Sequence, residues 1–117
     1  MGMHVYRQGD VAFIPREDLP KSVADIDNMV GRDKKTKAKV LKTRVVRKGE
    51  NGGIHALDLE KAPDTVMYEL DGVKYVLSPE GVDVVHGEHG KVELPKGSYE
   101  VRVQREADRA GWRNVMD

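Results

Sequence analysis

Thr65-Val66-Met67-Tyr68-Glu69-Leu70-Asp71-Gly72-Val73-Lys74-Tyr75-Val76-Leu77 is the stretch that decides the fold class. Two runs rich in β-branched, aromatic and aliphatic residues flank the dipeptide Asp71-Gly72. That dipeptide suits the two positive-φ positions of a type I′ turn, whose twist matches that of the strands on either side. Residues 65–70 and 73–77 therefore read as an antiparallel hairpin. Alternation puts Val66, Tyr68 and Leu70 on one side of the first strand, and Val73, Tyr75 and Leu77 on one side of the second.

Downstream the pattern repeats in short strands. Ser78-Pro79-Glu80-Gly81 turns the chain, and Val82, Val84 and His86 then share a face. After a turn over residues 86–90 come Val92 and Leu94. Pro95-Lys96-Gly97 leads into a last strand with Tyr99, Val101, Val103 and Arg105 in phase. Upstream, Ala62-Pro63-Asp64 breaks a strand over residues 54–60, with His55, Leu57 and Leu59 on one face. Residues 49–53 are a Gly-rich turn. Before it, residues 38–47 read as one strand, with Leu41, Thr43 and Val45 on one face and Lys42 and Arg44 on the other. Residues 31–37 read as a mobile polar connection. Leu19-Pro20-Lys21-Ser22 opens the one plausible helix, in which Val23, Ile26, Met29 and Val30 recur at helical spacing until Gly31 stops it. Gly9-Asp10 is a turn or bulge signal ahead of a buried strand, Val11–Pro15. About eight short strands and one short helix indicate an all-β fold: a small antiparallel barrel, jelly roll or sandwich.

The chain of 117 residues reads as a single β domain, residues 1–117, whose polar tail, 106–117, carries Trp112 as its one large anchor. There is no cysteine, which excludes disulfides, thiolate metal sites and cysteine nucleophiles. No apolar segment resembles a signal sequence or approaches the ~20 residues of a membrane span, so a cytoplasmic protein with no membrane partner is expected. Net charge is zero but unevenly laid out. Residues 32–48 hold nine Lys/Arg against Asp33 alone, whereas residues 49–100 hold eleven Asp/Glu against four Lys.

Chemistry gathers around histidine, of which the chain has only four. His55 is in phase with Leu57 and Leu59, and His86 with Val82 and Val84, so both imidazoles should face the core near strand ends. His89 can curl back across Gly87, with Glu88 between the two. Three neutral imidazoles plus one open position, with Glu88 or a nearby carboxylate beside them, are the pattern of a catalytic Zn or Fe site, and nitrogen and oxygen donors without sulfur leave Mn, Ni and Cu open as well. The competing reading is structural: imidazoles that bond to backbone, with Glu88 capping a glycine-rich turn. His86-x-Glu88 matches half of the zinc-deaminase signature, but without cysteine the other half cannot exist.

Three places carry a resemblance. They are Arg7-Gln8-Gly9-Asp10-Val11; Gly49-Glu50 with Gly52-Gly53-Ile54-His55; and His86-Gly87-Glu88-His89-Gly90 through Leu94-Pro95-Lys96-Gly97-Ser98-Tyr99 to Gln104-Arg105-Glu106. Together these resemble a family of small prokaryotic and phage-type proteins with a Gly-His-x-His-like step, a His-x-Glu-His turn and a Leu-Pro-x-Gly-x-Tyr strand ending in Gln-Arg-Glu. The resemblance implies no known activity. This chain keeps one histidine, His55, at the step where the pattern has two, so a metal site there would be thinner. Pro95-x-Gly97 is also similar to the turn of cupin jelly rolls, but Ser98, Tyr99 and Glu100 stand where the cupin histidine would follow.

Two further groups are candidates. Arg7, Gln104 and Arg105 could bind a carboxylate or phosphate, or an arginine could pair internally with Asp10 or Glu106. Lys34, Lys35, Lys37, Lys42 and Arg44 could contact a nucleic-acid backbone or a protein partner. Equally, they could be a solvated edge that discourages strand aggregation, since no aromatic residues are interleaved. Three functional readings follow: a binding module with a histidine-lined pocket for a divalent metal, a small metal-dependent enzyme on a cupin-like scaffold with Glu88 as acid or base, and an adaptor working through residues 32–48.

Overall fold

The structure is a computed structural model describing residues 4–48 and 53–103. In chain order it contains β1 (Tyr6–Gln8), β2 (Val11–Pro15), α1 (Val23–Asp27), β3 (Lys39–Leu41), β4 (Val45–Lys48), β5 (Ile54–Leu57), β6 (Val66–Leu70), β7 (Val73–Ser78), β8 (Val82–Val85), β9 (Val92–Leu94) and β10 (Gly97–Val103). The strands form two antiparallel sheets, ordered β1-β2-β10-β7-β6-β3 and β4-β5-β8-β9. The fold is an open sandwich, not a closed barrel. The Gly-rich turn at residues 49–52, Gln104, Arg105 and the tail with Trp112 lie outside the described residues.

The hairpin forms as the sequence indicates. Asp71 and Gly72 take φ of +55° and +78°, and Leu70↔Val73, Tyr68↔Tyr75 and Val66↔Leu77 pair in register. Both of its faces are buried, however. Met67 and Val76 face the second sheet and join Val11, Phe13, Leu57, Val84 and Val101 in the main core. Tyr68 and Leu77 face the other way, under Ile26 of α1. Alternation identified one apolar side; the helix laid on the outer face makes the opposite side apolar too.

Ten strands appear among the described residues, where about eight are expected. The three-residue β1 is one addition. The other comes from residues 38–47, which form two strands in different sheets. Thr43 Oγ1 accepts from the N–H of Val45 at 3.1 Å, and the Arg44 carbonyl accepts from the N–H of Leu57 at 2.8 Å. That corner breaks the alternation, so Leu41 and Val45 serve different sheets. The helix is also shorter than the spacing suggests. Ser22 caps it by accepting from the N–H of Asp25, and of the expected face only Ile26 is fully buried, while Val23 and Val30 lie exposed.

The basic connection is a folded turn docked on the hairpin. The Asp33 carboxylate accepts from the N–H groups of Thr36 and Lys35, both at 2.9 Å, and from the Thr36 hydroxyl at 2.7 Å. Those bonds, the Thr36 N–H foremost, hold the Asp33 carboxyl at about 2. Asp71 accepts from the N–H of Arg32 at 3.1 Å, and a Cβ on Gly31 would lie 2.5 Å from Asp71 Oδ1. Among the described residues no helix is long and apolar enough to cross a membrane.

Candidate functional site

At one end of the sandwich three segments converge: the β1–β2 turn (Gly9-Asp10), the start of β5 (His55) and the β8–β9 connection (His86 to Lys91). The imidazoles of His55, His86 and His89 come together there. Ring centroids are 4.4 Å apart for His55–His86, 4.5 Å for His86–His89 and 6.1 Å for His55–His89. His55 is buried in phase with Leu57, as expected, while His86 is half-buried and His89 exposed.

Gln8 organises the cluster. It sits in the core-facing phase of β1 and is buried. Its amide nitrogen donates to the carbonyls of Val84 and Gly90, each at 2.9 Å, which ties β1 to the second sheet. Its Oε1 is then the atom that meets His55 Nδ1 at 2.9 Å, so Nδ1 carries the proton. In the neutral ring, Nε2 is left as a bare lone pair. Burial pushes the His55 imidazole below its ordinary value. The neighbouring His86 acts in the same direction and Asp10 opposes it, so the neutral ring prevails near pH 7.

That lone pair faces Asp10 Oδ1 at 3.4 Å. The other carboxylate oxygen, Oδ2, lies 3.4 Å from Arg47 Nε. Across the cluster, His86 Nδ1 accepts from the backbone N–H groups of Glu88 at 2.9 Å and His89 at 3.1 Å. Its proton is therefore on Nε2, beside Gly53, where a Cβ would lie 2.6 Å away. Gly53 stands where the resemblance has its first histidine, and here the His86 ring crowds that place. His89 Nε2 lies over Gly9, 2.6 Å from where a Cβ would be.

The sequence-derived candidates thus separate. His55, His86 and His89 meet. Glu88 contributes through its backbone, with its side chain exposed. Arg7 is exposed on β1, and Asp10 takes Arg47 as its arginine partner. Lys34, Lys35 and Lys37 project from the 31–37 turn, and Lys42 and Arg44 from the β3–β4 corner, all exposed. Three groups that sequence reading did not place at the site are Gln8, Asp10 and Arg47. The one available signal was the compact Gln8-Gly9-Asp10 turn. Among the described residues, no set of three or more His, Asp or Glu side chains stands at metal-binding geometry.

The molecule is thus an antiparallel β-sandwich with a polar, histidine-centred plug at one end. Residues 7–104 match the family described as Domain of unknown function (DUF8820), and the chain belongs to that family. No curated protein and no solved structure matches it.

Proposed function

We propose that this domain binds a divalent transition-metal ion between His55 and Asp10, with Zn2+ the best fit to these donors and Fe2+ or Mn2+ alternatives. The observation that carries this reading is the gap between His55 Nε2 and Asp10 Oδ1. Two acceptors face each other across 3.4 Å, beyond the ~2.7–3.2 Å of a hydrogen bond. Two ligand atoms held ~2.0–2.1 Å from a tetrahedral Zn2+ stand about 3.4 Å apart. A cation in that gap satisfies both lone pairs at once.

The surroundings are those of a supported ligand pair. Gln8 holds the His55 tautomer from its far nitrogen, and Arg47 holds the second oxygen of Asp10, as outer partners of metal ligands do. His89 is the third ligand in this reading. Its ring nitrogens make no hydrogen bond among the described residues, and it rides on an exposed connection between Gly87 and Gly90, which lets it turn toward the ion. His86 stays outside the ligand set, because its Nδ1 is held by two N–H groups and its Nε2 keeps a proton. The remaining position is open to water or a ligand.

The test is calorimetric titration of chelated protein with Zn2+, together with Co2+ absorption. The expected result is one ion per chain, a tetrahedral Co2+ spectrum, and at least a ten-fold loss of affinity in Asp10→Asn and His89→Ala, with His86→Ala closer to wild type. Affinity unchanged in Asp10→Asn, in protein that still melts normally, would sink the assignment.

A further inference from the structure

A second site lies away from the histidines. Between β4 of one sheet and β7 and β10 of the other is a cleft of about 510 Å³, within the roughly 300–1,000 Å³ of small-molecule pockets. Its walls are Val46, Val73, Val101 and Val103. Lys74 also lines it. This lysine is in phase with the core residue Val76, so it is a cation on the inward face of a strand. Its ammonium crosses the gap between the sheets and donates to the carbonyl of Val46 at 3.0 Å.

That single bond to a carbonyl leaves most of the ammonium's need unmet. An inward-facing, half-buried ammonium has three N–H donors and favours a negative partner. Among the described residues no carboxylate lies within ion-pair distance of Lys74: Glu100, the one acid of the cleft, takes Arg16 and Arg102, each at 2.9 Å. Arg47, Lys48 and Arg102 also line it, so the cleft combines apolar walls with an excess of positive charge.

We infer that this cleft binds a small molecule with one anionic head and an apolar body, the head on Lys74 Nζ and the body along Val46, Val101 and Val103. Carboxylate and phosphate heads share the chemistry that Lys74 recognises. The inference stands apart from the metal reading: it uses neither His55 nor Asp10.

The probes are hexanoate, hexyl phosphate and neutral hexanol, titrated into the protein while backbone amide signals are followed by NMR. The expected result is that one or both anions move the signals of Val46, Val73 and Val101 at concentrations where hexanol does not; which anion binds identifies the head. Lys74→Met should weaken binding by at least roughly ten-fold, with Lys48→Met weakening it less. Lys74→Gln keeps a donor for the Val46 carbonyl without the charge, and so tests the same loss should the Met variant fold poorly. Undiminished binding to Lys74→Gln, equal binding of hexanol, or no response to any probe would overturn the inference.

Discussion

Two turns of this chain look nearly alike in sequence. Gly9-Asp10 joins β1 to β2, and Asp71-Gly72 joins β6 to β7. Each is a two-residue hairpin turn with a glycine at positive φ, +59° at Gly9 and +78° at Gly72. Their aspartates have opposite fates. Asp71 accepts a backbone N–H and anchors the 31–37 turn. Asp10 has Arg47 at 3.4 Å and otherwise faces an imidazole lone pair. One carboxylate is placed to hold the fold together; among the described residues the other makes no hydrogen bond or ion pair shorter than 3.4 Å. The difference comes from what packs beside each turn, not from the turn itself.

The largest expected effect lies beneath the Gly9-Asp10 turn. Gln8→Ala strips partners from the Val84 and Gly90 carbonyls and from the His55 Nδ1–H. It should destabilise the fold by about 3 kcal/mol or more in urea unfolding. A cost below about 1 kcal/mol would mean that Gln8 does not organise this end, and the contrast between the turns would weaken.

The second effect belongs to the hairpin that Asp71-Gly72 closes. Burial pushes the Tyr68 phenol up to about 12, and Tyr99, also buried, likewise to about 12. The unfolded chain loses these protons near pH 10 while the folded chain keeps them. Stability should therefore fall as pH rises from about 10 to 12, by about 1.4 kcal/mol per pH unit for each tyrosine. Tyr68 Oη has no hydrogen-bond partner among the described residues. Tyr68→Phe should then remove about half of the alkaline slope at little cost at pH 7, read from urea midpoints across that range. A slope unchanged in the variant would refute the assignment.

The smallest effect separates the two glycines. Alanine at either position meets an unfavourable φ and should cost about 1 kcal/mol. At Gly72 a Cβ meets nothing within 4 Å, but at Gly9 it would displace the His89 ring. Similar thermal melts, with Zn2+ affinity lowered only in Gly9→Ala, would sharpen the contrast. Equal Zn2+ affinity in the two variants would remove His89 from the ligand set.

Much of the architecture was legible, because it is written locally. The Asp71-Gly72 turn, the phases of His55 and His86, and the Tyr99 and Val101 face all follow from alternation and turn chemistry. The corner at Lys42-Thr43-Arg44 was not, because a strand that changes sheets keeps its β-favouring residues and only its hydrogen bonds change. Asp10 and Arg47 were missed as site residues for a related reason: each looks like an ordinary polar residue in its place, Asp10 in a turn and Arg47 on β4.

What the sequence determines by itself is most of the strands, the Asp71-Gly72 turn that needs positive φ, and the side of each strand that carries imidazoles. These depend on steric limits and a two-residue period, which act over a few residues. Only the tertiary structure decides that Asp10 meets His55, that Gln8 sets the tautomer between them, and that Lys74 reaches across to β4. Those meetings depend on how two sheets pack, and packing joins residues whose separation along the chain leaves no local pattern to read.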